Sequence, residues 1–302
     1  MHMRQLVSAI ITTHEREACI LERALISVIN QTYKNIEVII INDAPCFCEN
    51  EKIENMIKKY NTPQIPIRYV LNKEKPGACA SRNIGINIAN GQFVALLDDD
   101  DEWMPSKLSE MISVVKDDIG LVYANYDNIK KNGDVFQRSQ VATYSGDVYE
   151  KLLYGNFIGG CSIPLIRKSI ICEAGGFDED MPSAQDIDAW LRISKLCKVQ
   201  YIDKVLVHYH VSDAAITSNP DRRIKGWERL IKKYEDDFNN HIDAMCIWNY
   251  NILETEIAFG KFKKAFIKYN QVKKYMSHKQ KCRLPIYGMV KRVLVLAGLR
   301  RR

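Results

Sequence analysis

The sequence contains no CxxC pair, and its nine cysteines are scattered at 19, 46, 48, 79, 161, 172, 197, 246 and 282. An odd number without a repeated spacing argues against a disulfide framework or a zinc site, and suits a reducing compartment. No uninterrupted apolar run reaches the roughly 18 residues that a spanning helix needs. The chain enters a strand-like run at Leu6 without the layout of a signal peptide, so a cytoplasmic location is expected. Low-complexity tracts and convincing internal repeats are missing as well, which sets solenoids and arrays aside. The segment after the first apolar run, "TTHERE" (12–17), has no glycine and so lacks a phosphate-cradling Gly-rich loop. Acids are absent from Lys261 to Arg302, where 14 Lys/Arg stand alone. The remaining 29 basic and 37 acidic residues give residues 1–260 a net charge of −8, so the formal +6 hides an acidic body and a basic tail. Charge alone would permit nucleic-acid binding, but no recognised motif accompanies it and none is expected.

What is present is an alternation. "LVSAIIT" (6–12), "IEVIIIND" (36–43), "IRYVL" (67–71), "FVALL" (93–97) and "IGLVYANY" (119–126) read as strands. Between them, residues 17–31, 49–60, 79–90 and 105–117 carry helical spacing, the last opened by Pro105. Strands alternating with helices predict right-handed βαβ units and a parallel sheet, and runs this apolar predict strands covered on both faces. From about 127 to 211 the pattern loosens into polar loops and more irregular strands, with one helix near 186–197. From about Asn219 the chain reads as helical over 222–238, 241–260 and 261–276. The predicted organisation is a catalytic domain over 1–215 and a helical, basic extension over 216–302.

"FVALLDDDDEW" (93–103) runs an apolar strand into four aspartates and a glutamate. A pair of carboxylates about 4 Å apart repels by roughly 1 kcal/mol in water and about 4 kcal/mol at an effective dielectric near 20. Protonation relieves this, and so does a divalent cation; hard oxygen ligands suit Mg²⁺ or Mn²⁺. Acids that cap and complement the helix after Pro105 are the plainer alternative. A calcium loop does not fit, since Trp103 and Ser109 stand where its Gly and Glu belong. In open α/β sheets ligands bind beyond the carboxyl ends of the strands, which places Asp43 and the run from Asp98 at one crevice.

With its neighbours the stretch becomes specific. "GACASRNIGINIANGQFVALLDDDDEWMPSKL" (77–108) resembles the central block of the family 2 glycosyltransferases. "SAIITTHERE" and "ALISVINQTYKNIEVIIINDA" resemble the family's first strand, first helix and second strand, and "GGFDEDMPSAQDIDAWLRIS" (175–194) the block carrying its catalytic base. The resemblance covers about 4–215 and implies a GT-A fold: a Rossmann-like, mostly parallel mixed sheet flanked by helices, here with a C-terminal helical extension. It further implies an inverting transfer of a hexosyl unit from a nucleotide diphosphate sugar, UDP-linked by family habit, to a saccharide or lipid-linked saccharide acceptor in surface polysaccharide assembly.

By position, the resemblance makes Asp100 the metal-binding aspartate and Asp98 the first member of the same motif, with Asp99 at the ribose or a metal-bound water. Asp43 falls where the nucleotide base is read, Thr12, Thr13 and Glu15 where the first loop meets the nucleotide, and Arg82 near its phosphates. Asp101 and Glu102 are expected to serve the next helix. Asp186 stands where the family's general base stands, and inversion requires such a base to take the acceptor hydroxyl's proton. Gly159, Gly160, Asp188 and Trp190 fall on the acceptor side.

Each reading has a plainer rival: Arg82 as a surface partner of an acid, the threonines as strand-end chemistry, Asp186 as a helix cap, and Trp103 and Trp190 as packing. Ala44-Pro45 replaces the usual Gly-Ser after the base-reading aspartate. In "VHYHVSDAAITS" (207–218), His210 and Ser212 replace the family's Arg and His, leaving His208 or His210 as candidates for a metal contact. The mixture of cationic and apolar residues at 278–302 suggests peripheral attachment to an anionic membrane surface, or packing on a partner. Two other functions remain compatible: a nucleotidyltransferase acting on sugar phosphates, against which the glycine-free first loop argues, and a protein that binds a nucleotide sugar without transferring it.

Overall fold

The computed structural model describes residues 5–130, 133–138, 143–210 and 219–275. The chain divides into two compact units. The first comprises Met1–Tyr149, Phe157–Glu179 and Asp188–Ser212; the second comprises Glu150–Asn156, Asp180–Ile187 and Asp213–Arg302.

The first unit opens with β1 (Val7–Thr13), α1 (Ala18–Ile29), β2 (Ile36–Asn42), α2 (Asn50–Tyr60) and β3 (Ile67–Leu71). It continues through α3 (Ala78–Ile88), β4 (Phe93–Asp98), β5 (Glu102–Trp103), α4 (Lys107–Ser113), β6 (Ile119–Ile129) and β7 (Val135–Arg138). Then α5 (Tyr149–Leu153) leads into the second unit, while β8 (Leu165–Arg167) and α6 (Lys168–Glu173) return to the first. Helix α7 (Gln185–Ser194) is followed by β9 (Lys198–His210).

Among the described residues the strands form one sheet in the order β3-β2-β1-β4-β8-β6-β9-β5, with β7 on β6. The pairs β3–β2, β2–β1, β1–β4 and β6–β9 are parallel, whereas β8 runs antiparallel to both β4 and β6. The apolar strands β1, β2 and β4 lie almost wholly buried at its centre. Helix α3 packs on β1 and β2, so closely that a Cβ on Gly85 would lie 2.4 Å from Ile10 Cγ2. Strand order reverses beside β1, and the registers there fix the crevice. Thr12 pairs with Asp98 and Thr13 with Asn42, so Asp43 and the acidic run flank the carboxyl end of β1.

Two elements of the first unit depart from the sequence reading. Helix α4 starts at Lys107, not Pro105, and is seven residues long. Glu102 and Trp103 form a short strand on His208 and Val207 instead of leading into that helix. The irregular strands expected before residue 211 include β9, thirteen residues long, whose pairing with β6 is broken by register shifts.

The second unit is helical. Helix α8 (Pro220–Lys233) begins with Pro at its first position, and the Asn219 side chain accepts from the Asp221 and Arg222 amides at 3.0 and 3.1 Å. The single helix expected over 222–238 breaks at Tyr234, after which α9 (Glu235–Asn240) starts. Helix α10 (Ile242–Ala258) buries residues around most of its circumference, the pattern of a central helix, and α11 (Phe262–Val272) packs on it through Ala265 and Val272. The described cysteines are free thiols. Among the described residues no helix is long and apolar enough to cross a membrane. Ser212 and the basic segment 278–302 lie outside the described residues.

Candidate active site

Strand β4 ends in a turn in which the Asp101 amide donates to the Asp98 carbonyl at 3.0 Å. Burial alternates through it: Asp98, Asp100 and Glu102 are partly exposed, whereas Asp99 and Asp101 are buried. Asp101 is part of the wall. Its carboxylate accepts from the Ser162 hydroxyl at 2.6 Å and the His210 amide at 2.9 Å, and the Ser162 hydroxyl itself accepts from the Asp98 amide at 3.0 Å. Glu102 pairs with His210 Nε2 at 2.8 Å and Arg23 Nε at 3.2 Å. The expectation that these two acids serve the next helix is therefore corrected: they bind the turn to β9 and α1, and α4 has no side-chain cap.

The cluster is neutralised from two sides. Arg16 Nε donates to Asp99 Oδ1 at 3.0 Å and its Nη2 reaches Asp100 Oδ2 at 3.3 Å. On α3, Arg82 is buried and Nη2 donates to Asp98 Oδ1 at 2.7 Å, with its guanidinium over the Phe177 ring. Arg23 adds a hydrogen bond to the Asp100 carbonyl at 2.7 Å. Even so, burial and then the neighbouring Asp100 and Asp98 raise Asp99 to about 6, against the pull of Arg16. Burial and Asp98 raise Asp100, and burial with Asp98 and Asp100 holds Asp101 well above the usual carboxylate range. Positive charge from a ligand would relieve this repulsion.

Asp98 and Asp100, with side chains 30% and 23% exposed, are the members whose oxygens face out of the wall. As hard, anionic oxygen donors they fit Mg²⁺ or Mn²⁺. Among the described residues no group of three or more His, Cys, Asp or Glu is arranged to hold a metal. An ion held by one or two carboxylates must take its other ligands from water or from substrate phosphates.

At the other side of β1, buried Asp43 places Oδ1 2.6 Å from His14 Nδ1 and accepts from the Gly77 amide through Oδ2 at 2.7 Å. Gly77, at φ +131°, caps the start of α3, so this carboxylate fixes the helix that carries Arg82. Thr12 is half-buried and Thr13 buried, while Glu15 is exposed and holds φ +46°. His208 pairs in register with Glu102 and lines a groove of about 430 Å³ with Arg23, Trp103 and Pro105.

The residues expected on the acceptor side divide between packing and backbone shape. Trp190 is fully buried and donates to the Gly159 carbonyl at 2.9 Å. Asp188 is fully buried against Arg192, at 2.8 and 3.1 Å, and Arg192 in turn holds the Gly176 carbonyl at 2.6 Å. Gly159 has φ +95° and no room for a Cβ, which would lie 2.4 Å from Ile163 Cδ1, whereas a Cβ on Gly160 would make ordinary contact with Tyr209 at 3.5 Å. In the second unit, Asp186 sits in the first turn of α7, accepting from Asn156 Nδ2 and the Ile187 amide, both at 2.9 Å. Ala184, just before α7, is held at φ +57°. Among the described residues Glu15 and Ala184 are the non-glycine positions with positive φ, and backbone strain of this kind clusters at functional sites.

Arg16 and Arg23 were not singled out in the sequence. The signal that points to them is the acid run itself, which demands cations, together with a strand order that brings the loop after β1 to the end of β4.

The glycosyl transferase family 2 model matches residues 8–172. A putative colanic acid biosynthesis glycosyl transferase of Escherichia coli K12 is 29% identical over 246 residues, covering 79% of this chain and 85% of its own. The E. coli UDP-Glc:alpha-D-GlcNAc-diphosphoundecaprenol beta-1,3-glucosyltransferase is 30% identical over 232 residues, covering 74% of this chain and 85% of its own. Among solved structures, the Pyrobaculum calidifontis mannosyltransferase in complex with GDP-Man and Mn²⁺ superposes with a TM-score of 0.60 at 16% identity, covering 98% of this chain and 88% of that one. Staphylococcus aureus TarS 1–349 in complex with UDP-GlcNAc gives 0.60 at 15% identity, covering 98% and 93%. The mixed sheet, its acidic strand end and the flanking helices are thus those of the GT-A fold, and the match across more than half of its length means that the chain belongs to glycosyl transferase family 2.

Proposed function

We propose that the chain is an inverting glycosyltransferase of cell-surface polysaccharide assembly. It transfers a hexosyl unit from a nucleotide diphosphate sugar, UDP-linked, to a saccharide acceptor that is itself lipid-linked. The observation that carries this reading is the turn from Asp98 to Asp101, where two partly exposed carboxylates are braced by two buried ones beside the end of β1, with Asp43 on the far side of that strand. The surface-polysaccharide setting and the lipid-linked acceptor draw their support from the names of the E. coli relatives.

Asp43, with Thr12, Thr13 and Glu15 around the end of β1, holds the nucleoside. Asp98 and Asp100 hold Mg²⁺ or Mn²⁺, which when bound supplies Lewis-acid stabilisation of the departing diphosphate. Arg16 and Arg82 pair with these carboxylates and add positive charge beside the diphosphate oxygens. Asp186 accepts the proton of the acceptor hydroxyl as that oxygen attacks the anomeric carbon. Asn156 and the Ile187 amide orient that carboxylate.

Thermal shift against a panel of nucleotide sugars with Mn²⁺ identifies the donor, because a ligand of the native state raises Tm. With that donor, Asp186→Asn retains binding and loses transfer by about 10²–10⁴-fold, the usual size of a general-base contribution. A transfer rate kept in Asp186→Asn refutes the base, and turnover unchanged in EDTA refutes the metal. Donor binding without any transfer, in wild type and variant alike, would instead identify a nucleotide-sugar-binding protein.

A further inference from the structure

Helix α11 carries apolar side chains on two opposite faces. On one, Ala265 and Val272 are buried with Leu253 of α10, and Tyr250, Ile257 and Tyr269 pack around them. Lys261 and Lys268 on that side are committed to ion pairs with Asp221 and Glu228 of α8, the latter at 3.0 Å. The other face meets solvent. Phe266 is 67% exposed, Ile267 52%, and Phe262, one turn earlier, 48%. Single exposed apolar residues are ordinary, but these are concentrated. Of the ten large apolar side chains exposed among the described residues, four fall within 262–275. At about 100° per residue, Phe262, Lys263, Phe266, Ile267, Asn270 and Lys273 share an arc of about 140°. The arc has a sign as well as a shape, because no Asp or Glu occurs between Lys261 and Arg302.

The geometry points to the outer face of α11 as a docking surface for an anionic lipid bilayer. Phe266 and Ile267 enter the boundary between headgroups and acyl chains, and Lys263 and Lys273 extend their stems along the apolar surface to reach lipid phosphates. Charge decides the occupant. A two-fold contact with a second copy would set these lysines against themselves with no acid on the patch to answer them. A nucleic acid would meet the lysines but gains nothing from an exposed Ile267. The inference deepens the reading of a lipid-linked acceptor, yet its test needs no turnover, so its failure leaves glycosyl transfer standing.

The full chain is sedimented with vesicles rich in phosphatidylglycerol and with vesicles of phosphatidylcholine alone. Wild type binds the first and not the second. Phe266→Asp/Ile267→Asp and Lys263→Glu/Lys273→Glu each weaken binding at least tenfold, since one basic residue near an anionic surface is worth about a fivefold change. Both variants keep the wild-type Tm, as all four side chains are exposed. Wild-type binding retained by either double variant overturns the inference. So does a wild type that ignores anionic vesicles, or a concentration-dependent dimer that Phe266→Asp/Ile267→Asp dissolves while vesicle binding persists.

Discussion

Replacing Lys107 by methionine should stabilise the protein, with a dependence on pH that identifies a buried amine. Lys107 lies in the first turn of α4 and is fully buried. Its ammonium nitrogen has no hydrogen-bond partner among the described residues and stands 4.1 Å from the centroid of the Trp103 ring. A desolvated cation on an indole face gains about 2 kcal/mol, less than the several kcal/mol that removing an ammonium from water costs. Burial accordingly pulls its pKa from 10.5 to about 7. At about 1.4 kcal/mol for each tenfold change, that fall corresponds to about 5 kcal/mol as a ceiling.

The sign follows from proton counting. Between pH 7 and 10.5 the unfolded lysine binds a proton that the folded one has released, so wild-type stability rises with pH across that window. Below pH 7 the full penalty applies, and above 10.5 it has gone. Methionine has nearly the volume of lysine and no charge to bury, so the stability difference between Lys107→Met and wild type is largest below pH 7 and falls away toward pH 10.5. Urea unfolding of both proteins at closely spaced pH values measures that difference directly. A difference that stays flat across the window refutes the reasoning, because it would mean that the amine is solvated or paired in the folded state.

Two further predictions concern backbone shape. Gly159→Ala should destabilise by about 3 kcal/mol, combining a left-handed backbone with overpacking against Ile163; a loss under about 0.5 kcal/mol in urea unfolding would show that the Ile163 side chain yields freely. Ala184→Gly should stabilise by about 0.5–1 kcal/mol, since relief of the positive φ outweighs the added entropy of the unfolded chain. If the strained residue also positions Asp186, transfer falls in the Ala184→Gly variant while its unfolding midpoint rises.

How legible each part was depended on where its determinants lie. Strands β1, β2 and β4 were readable as apolar runs with polar ends, because central strands buried on both faces need little else, and β3 as a shorter apolar run at the sheet edge. Strand β9 was legible only as one of several irregular strands without bounds, since Val199, Leu206 and Val207 alone are buried along it and its ladder to β6 is broken by bulges. Strand β5 has no period at all; two residues become a strand because Val207 and His208 offer a free edge. The site divides in the same way. Asp43 and Asp98 sit at strand ends and were found from chain order alone. The partners of the acids were not, because Arg16 lies 83 residues from Asp99 and Ser162 lies 61 from Asp101.

That division also answers why five acids stand in a row. Four consecutive carboxylates facing one ion would crowd it beyond what a small octahedral cation accepts. The turn instead alternates burial along the run. Asp99 and Asp101 go inward, where Arg16, Ser162 and the His210 amide receive them and where their bonds fix the backbone. Asp98 and Asp100 are thereby left as the more exposed pair, and Glu102 closes the far end on His210 and Arg23. The inward pair carries the larger electrostatic burden, with Asp101 raised well above the usual carboxylate range by burial and by its neighbours. On the proposed reading, a site that grips a doubly charged ion beside a diphosphate needs such rigidity more than it needs extra ligands, because donors fixed in place need not reorganise as the leaving group's charge develops.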